Sequence, residues 1–164
     1  PYPGGALLHA LAFDKFPVKG KKAAVVGSAS PWIEAILLNY GAESVTTVEY
    51  RPLVAQHHQI RPMTYPQFAM LDERFDVICS FSSLEHSGLG RYGDDLAPDG
   101  DIEVMQVLRE KLTDEGLLYW GAPVGQDALL WNAMRIYGKL RLERLWKGFE
   151  ELHWFGHDKS VLSD

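Results

Sequence analysis

Two adjoining stretches decide the fold. The first is Lys22-Ala23-Ala24-Val25-Val26-Gly27-Ser28-Ala29-Ser30-Pro31-Trp32, and the second is Ser44-Val45-Thr46-Thr47-Val48-Glu49-Tyr50. Ala23 to Val26 is a short apolar run closed by Gly-Ser, the pattern of a strand buried on both faces. Ser30-Pro31 predicts a helix start, with Ser30 as N-cap and Pro31 in the first helical position. Ile33, Ile36, Leu37 and Tyr40 follow at helical spacing, and Gly41 stands where a helix stops. Ser44 to Val48 is β-branched and ends at Glu49. Strand, helix, strand within about 30 residues is a βαβ unit, which commits the chain to parallel pairing.

The alternation continues outward. Pro52 to Gln59 is expected as a short helix, Ile60 to Met63 as a third strand and Phe75 to Phe81 as a fourth. Asp99 to Leu112 reads as a helix: Ile102, Met105, Leu108 and Leu112 share a face, while Asp99, Asp101 and Glu103 suit its positive N-terminus. Gly116 leads into a fifth strand, Leu117 to Trp120. The fold class implied is α/β, a Rossmann-like open and mostly parallel sheet with helices on both faces. Beyond Pro123 the pattern blurs; residues 129–147 are expected as a basic helix and 148–157 as an aromatic, stranded segment. Residues 1–20 hold three Pro and three Gly around Ala6 to Phe13. They are expected to form an N-terminal arm or short helix, with 21–164 as a single domain.

The chain has 164 residues, 46% apolar, with five Trp and seven Phe to bury, enough for a real core and against long disorder. One cysteine, Cys79, excludes an internal disulfide framework and multi-cysteine metal sites; inside a strand it reads as a core thiol. Sixteen basic against 22 acidic residues argue against a nucleic-acid partner. No apolar run reaches the roughly 18 residues of a membrane span. A cytoplasmic location is expected. The chain opens at Pro1 rather than Met, as a fragment or processed form would, which leaves room for an upstream targeting segment.

In open parallel sheets, ligands bind beyond the carboxyl ends of the strands, where the strand order reverses. That rule selects Gly27–Trp32, Glu49–Tyr50, Ser82–Asp95 and Ala122–Asp127. Small residues in the first turn, Gly27, Ser28 and Ala29, let a ligand approach the backbone ahead of Trp32 and the helix N-terminus. Glu49, about 20 residues on with Tyr50 beside it, stands where a carboxylate accepts ribose hydroxyls. A single Gly in place of three disfavours a pyrophosphate, hence NAD or FAD. Ser82-Ser83-Leu84-Glu85-His86-Ser87-Gly88-Leu89-Gly90-Arg91-Tyr92-Gly93-Asp94-Asp95 packs acid, imidazole, guanidinium and phenol between glycines. Such a loop costs entropy to order and buries little apolar surface, so function explains it better than packing. Glu85, His86 and Asp94 are the candidate catalytic residues. Arg91, Tyr92, Asn132, Arg135 and Tyr137 are the candidates for holding a substrate, Arg135 by an anionic or sugar-like group.

Metal is not expected. The cluster Asp94, Asp95, Asp99, Asp101 and Glu103 fails the EF-hand pattern, because Ala97 falls on a required ligand and Gln106 replaces the closing Glu. His153 and His157 stand four apart without a clear third ligand. Neither a Gly-x-Ser-x-Gly elbow nor a phosphate-binding Gly-Lys-Ser/Thr loop is present.

The order of these parts, a Val-Val-Gly-Ser turn, Val-Glu-Tyr, Phe-Asp-Val-Ile-Cys-Ser and then Leu-Glu-His, resembles a class I S-adenosylmethionine-dependent methyltransferase. More closely, Ser82 to Asp95 and Asn132-Ala133-Met134-Arg135-Ile136-Tyr137-Gly138 resemble a domain-of-unknown-function family whose members look methyltransferase-like. The resemblance covers roughly Lys21 to Gly148. It implies S-adenosylmethionine as cofactor, with Gly27 and Ser28 against its amino-acid end and Glu49 on its ribose. It places Ser82 and Ser83 beneath the sulfonium and turns Glu85 and His86 to a small-molecule or glycan acceptor. Ala24, Ser28-Ala29 and Pro31 depart from the usual acidic, three-glycine turn. For a hydroxyl acceptor His86 is the candidate base, oriented by Glu85 or Asp94. Two alternatives stand beside methyl transfer: a non-methylating module that binds a nucleotide or sugar, and a metal-assisted hydrolase using His86, Asp94, His153 or His157.

Overall fold

The computed structural model describes residues 4–162. By contact the chain divides into two compact units, Pro1–Ser80 with Lys111–Trp120, and Phe81–Glu110 with Gly121–Asp164.

The first unit carries α1 (Gly5–Lys15), β1 (Lys22–Val26), α2 (Trp32–Asn39), β2 (Ser44–Glu49), β3 (Ile60–Thr64), α3 (Tyr65–Met70) and most of β4 (Phe75–Phe81) and β5 (Leu112–Gly121). The sheet order is β3-β2-β1-β4-β5. β1 pairs in parallel with both β2 and β4, and β2 pairs in parallel with β3. The chain therefore winds outward from β1 to one edge and returns to continue at β4, which puts the reversal of strand order between β1 and β4. Parallel strands buried on both faces need continuous apolar runs, and Ala23, Ala24, Val25 and Val26 are all buried, as are Val77, Ile78 and Cys79.

Across the sheet Val25 lies between Thr47 and Cys79 in register. Glu34 of α2, wholly buried, accepts the Thr47 hydroxyl at 2.5 Å. Burial pushes the Cys79 thiol up, and the nearby Glu34 carboxylate pushes it further. The thiol is a core group. On α1, Phe13 meets the rings of Tyr40 and Tyr119 edge-on at 5.7 and 5.0 Å.

The second unit holds α4 (Gly100–Lys111, its last residue in the first unit), the two-stranded antiparallel ladder β6 (Ala128–Leu130) and β7 (Met134–Ile136), and α5 (Lys139–Leu145). Leu84–His86 form a single 3-10 turn.

Several sequence expectations are corrected. α2 begins at Trp32 with Pro31 in the cap position and no side-chain cap, so Ser30 contributes only its carbonyl, to the Trp32 N–H. Pro52 to Gln59 is not helical; Val54 is almost wholly exposed, so a helix there would have no apolar face to bury. α3 went unanticipated, although Gln67 accepts the Thr64 N–H at 2.8 Å in a capping box. β5 starts at Leu112 rather than Leu117. Residues 129–147 are a hairpin followed by a short helix. Gly138 parts the two, and a Cβ there would lie 2.4 Å from the Asp127 nitrogen. Residues 148–157 contain no strand. Gly148 and Gly156 take left-handed φ of 87° and 88°, which breaks an extended chain.

Candidate functional site

At the carboxyl end of β1, Gly27 has φ 82° and donates its N–H to the Val48 carbonyl at 2.9 Å. A side chain there would be strained, so the one glycine of the turn sits where glycine is needed. Ser28 is buried and its hydroxyl donates to the Ser30 carbonyl at 3.2 Å. Ala29 is exposed. Trp32 is half-buried, with His9 edge-on to its ring at 5.1 Å. Glu49 closes β2, and Tyr50 beyond it leans on Tyr65 with ring centres 5.6 Å apart. Burial pushes the Glu49 carboxyl up, while the Tyr50 N–H and the charge of Arg51 pull it down. Its Oε2 is buried without a hydrogen-bond partner.

In the second unit, Ser82 has φ 51°, the one non-glycine residue in the left-handed region among those described. That conformation costs on the order of 1–3 kcal/mol and persists only where its surroundings hold it. Two bonds do so: the Ser82 N–H donates to the Gly121 carbonyl at 2.7 Å, and its hydroxyl to Glu85 Oε1 at 2.8 Å. Ser83 precedes the 3-10 turn that carries Glu85 and His86. Glu85 is wholly buried and its Oε2 has no partner. Burial raises its carboxyl above the usual range, against the Ser82 hydroxyl, the N–H groups of Glu85 and Ser83, and His86.

His86 Nδ1 lies 2.6 Å from the Ala133 carbonyl. A carbonyl can only accept, so Nδ1 carries the proton and Nε2 keeps the lone pair in the neutral ring. Nε2 is 3.7 Å from Glu85 Oε1, and Tyr92 stands edge-on to the ring at 5.5 Å. The imidazole is thus oriented, with its basic nitrogen defined.

The other sequence candidates divide. Asp94 does not orient the imidazole: its carboxylate accepts the N–H groups of Gly88 at 2.7 Å, Tyr92 at 3.2 Å and Gly90 at 3.3 Å, and so shapes the loop. Burial would push Asp94 up, but these N–H groups hold it below the ordinary range. Arg91 is exposed over the Tyr92 ring at 5.8 Å, and Asn132 is exposed on the hairpin.

Arg135 and Tyr137 are buried instead of facing solvent. Arg135 donates to the carbonyls of Ser87 at 2.6 Å, Pro98 at 3.1 Å and Ala97 at 3.4 Å, with Nε 3.6 Å from Asp101. Burial, and then the nearby Asp101 and Glu85 carboxylates, push the Tyr137 phenol upward. Asp101 also pairs with Arg141, making it the hub of the unit's ion network. The sequence reads Asp101 as a helix-start charge and as a member of a failed calcium cluster; its pairing with arginines that follow some forty residues later left no local signal. Ala133 left no signal, because it acts through its main chain.

His153 and His157 are exposed and unassociated with His86 or Asp94 in any ligand set; among the described residues no group of three His, Cys, Asp or Glu could hold a metal ion. No described helix is long and apolar enough to cross a membrane.

A central β1 flanked by β2 and β4, with the strand order reversing between β1 and β4, defines a Rossmann-like sheet of the kind methyltransferases share. Solved structures share that fold. One is the 1,6-didemethyltoxoflavin-N1-methyltransferase of Burkholderia thailandensis, bound to 1,6-didemethyltoxoflavin and S-adenosylhomocysteine. It is 18% identical with a TM-score of 0.59, over 89% of this chain and 64% of that one. Another is the 4+2 cyclase SpnF, 14% identical with a TM-score of 0.60, over 85% of this chain and 56% of that one. The chain thus spans less than two thirds of either structure. No curated protein matches it in sequence. Residues 20–163 match the family described as Caenorhabditis protein of unknown function, DUF268, and the chain belongs to that family.

Proposed function

We propose that this chain binds S-adenosylmethionine at the carboxyl edge of β1 and β2 and methylates a hydroxyl of a small or sugar-like acceptor. The observation that carries the reading is Glu49. Its Oε2 is buried and unpartnered at the strand end where a ribose is met. An orphaned buried oxygen costs about 1–3 kcal/mol, which ribose hydroxyls would recover. Gly27 lets the nucleoside approach the turn, and the lack of further glycines suits a ligand without a pyrophosphate. The shared fold of a methyltransferase supports the same reading.

When bound, the cofactor supplies an electrophilic methyl on a good leaving group. The chain's part is then to align the acceptor, exclude water and take a proton. Within the second unit, His86 Nε2 is the ring nitrogen suited to take a proton from a hydroxyl, because the Ala133 carbonyl holds the other ring proton on Nδ1. The resulting imidazolium lies beside Glu85, whose carboxyl is kept in place by Ser82.

Calorimetric titration with S-adenosylmethionine and S-adenosylhomocysteine tests the reading. Saturable binding by the wild type that Glu49→Ala abolishes is expected. Folded protein that binds neither ligand overturns it. The departures of the turn at Ser28-Ala29 and Pro31 support a second reading, a nucleotide or sugar bound without methyl transfer, and titration of a nucleoside monophosphate and of a simple sugar against the same protein separates the two.

A further inference from the structure

The hairpin β6–β7 helps to enclose a cavity of about 510 Å³ within the second unit. Leu89, Leu96, Pro98, Leu129, Trp131 and Ile136 supply apolar walls. Trp131 and Leu129 are 69% and 57% exposed and, with Leu96, line the same cavity as one patch rather than standing scattered singly. Three charged residues also reach the cavity, and each is already spent. Asp127 accepts the N–H groups of Gly138, Leu140 and Arg141. Arg135 is committed to the Ser87, Ala97 and Pro98 carbonyls, and Arg141 to Asp99, Asp101 and the Pro98 carbonyl. Each of the three is thus tied up in hydrogen bonds within the unit, and the rest of the wall offers carbon.

We infer that this cavity binds a neutral, ring-bearing apolar small molecule, with the Trp131 indole and Leu129 as its main contact surfaces. The volume falls within the roughly 300–1,000 Å³ typical of small-molecule sites, which are apolar with few polar groups. A charged ligand would find each charged group already engaged in hydrogen bonds, and a sugar would lose water from its hydroxyls against carbon without replacement bonds. A concave volume of this size suits a small molecule better than a protein face, which needs about 800 Å² on each partner. The cavity also adjoins the His86 loop in sequence: Gly88 and Leu89 follow His86, and Ala133, which fixes its tautomer, lies between Trp131 and Ile136. Assigning the ligand as the methyl acceptor rests on the reading proposed above, and narrows the small or sugar-like acceptor to a small apolar ring bearing a hydroxyl. The binding itself does not depend on that reading.

The test is an NMR titration of the full chain with naphthol, a neutral fused ring carrying a hydroxyl, beside methyl glucoside and in the absence of cofactor. Naphthol is expected to give saturable shifts at the Leu89, Leu96, Leu129 and Ile136 methyls and the Trp131 indole, with methyl glucoside silent. Leu129→Asp and Leu96→Asp, at exposed positions that leave the core intact, should each weaken naphthol about tenfold or more. No saturable shift, glucoside saturating the same residues, or unchanged affinity in both variants overturns the inference. So does a concentration-dependent dimer in ultracentrifugation that buries Trp131, which would give this surface to a second copy. Naphthol binding in protein that fails to bind S-adenosylmethionine would keep the cavity and remove only its assignment to the acceptor.

Discussion

Replacing Arg135 by Met separates a clamp from a binding residue. The guanidinium is 5% exposed and joins three loop carbonyls to Asp101. Its partners lose unequally. The Ala97 carbonyl keeps the Gly100 N–H at 3.1 Å, and the Pro98 carbonyl keeps Arg141 at 2.8 Å. Asp101 retains Arg141, which reaches it through two nitrogens. Only the Ser87 carbonyl is orphaned, at about 1–3 kcal/mol. Breaking a buried pair by removing one partner commonly costs about 3–5 kcal/mol, and the surviving partner of Asp101 places this case at the low end. Met refills the volume of the stem, so the expected loss is about 3 kcal/mol. That lowers Tm by roughly 6–12 °C at the 2–4 °C per kcal/mol typical of this chain length. Arg135→Lys, which keeps the charge but not the fork, should lose about half as much. Urea and thermal unfolding followed by near-UV circular dichroism measure both. Arg135→Met within about 1 kcal/mol of wild type would refute the clamp and return Arg135 to the role of contacting an acceptor.

Three further outcomes are expected. Gly88→Ala should destabilise well beyond Gly93→Ala: both positions have left-handed φ, but only at Gly88 would the new Cβ meet a carbonyl oxygen, that of Ala97, at 2.2 Å. The Gly93 change should cost about 1–2 kcal/mol, read by the same unfolding curves. Asp94 is held below its ordinary 3.8, so its contribution is complete above that value and is lost as pH falls through its lower folded value. Amide shifts of Gly88, Gly90 and Tyr92 in an acid titration should show this loop loosening below pH 3.8, and in Asp94→Asn they should lose that pH dependence. Cys79, buried with its thiol pushed upward, should resist a thiol reagent in the native protein and react fully once unfolded; rapid native labelling would contradict its place in the core.

The sheet was legible because parallel strands announce themselves: Ala23–Val26, Val45–Val48 and Phe75–Phe81 are uninterrupted apolar or β-branched runs bounded by turns. The end of β2 at Glu49 was legible too, from the β-branched run that stops there. Glu34 was not weighed, although a glutamate between Ile33 and Leu37 on a buried helix face is a visible anomaly. The region after Pro123 misled because it is a polar, basic stretch with Trp131, Ile136, Leu140 and Leu145 scattered through it, a composition that does not by itself separate a hairpin from a helix. Only the Asp127 carboxylate, reaching forward to Gly138 and Leu140, sets where α5 begins. At the candidate site the residue types were readable but their roles were not. Arg135 and Tyr137 look like ligand-facing groups in sequence, and burial turns them into struts. The tautomer of His86 depends on a main-chain oxygen that any residue could supply.

The placing of β1 between β2 and β4 also bears on how quickly the chain finds its structure. β1 meets β2 through one short crossover, but Ala23 meets Val77 more than fifty residues away. The first closure is local and cheap in chain entropy; the second must wait until the intervening β2, β3 and α3 have been gathered in. The β1–α2–β2 segment is thus the natural nucleus, with the docking of β4 as the slow event. Substitutions at Val45 or Leu37 should therefore slow refolding, while those at Val77 or Ile78 should mainly hasten unfolding.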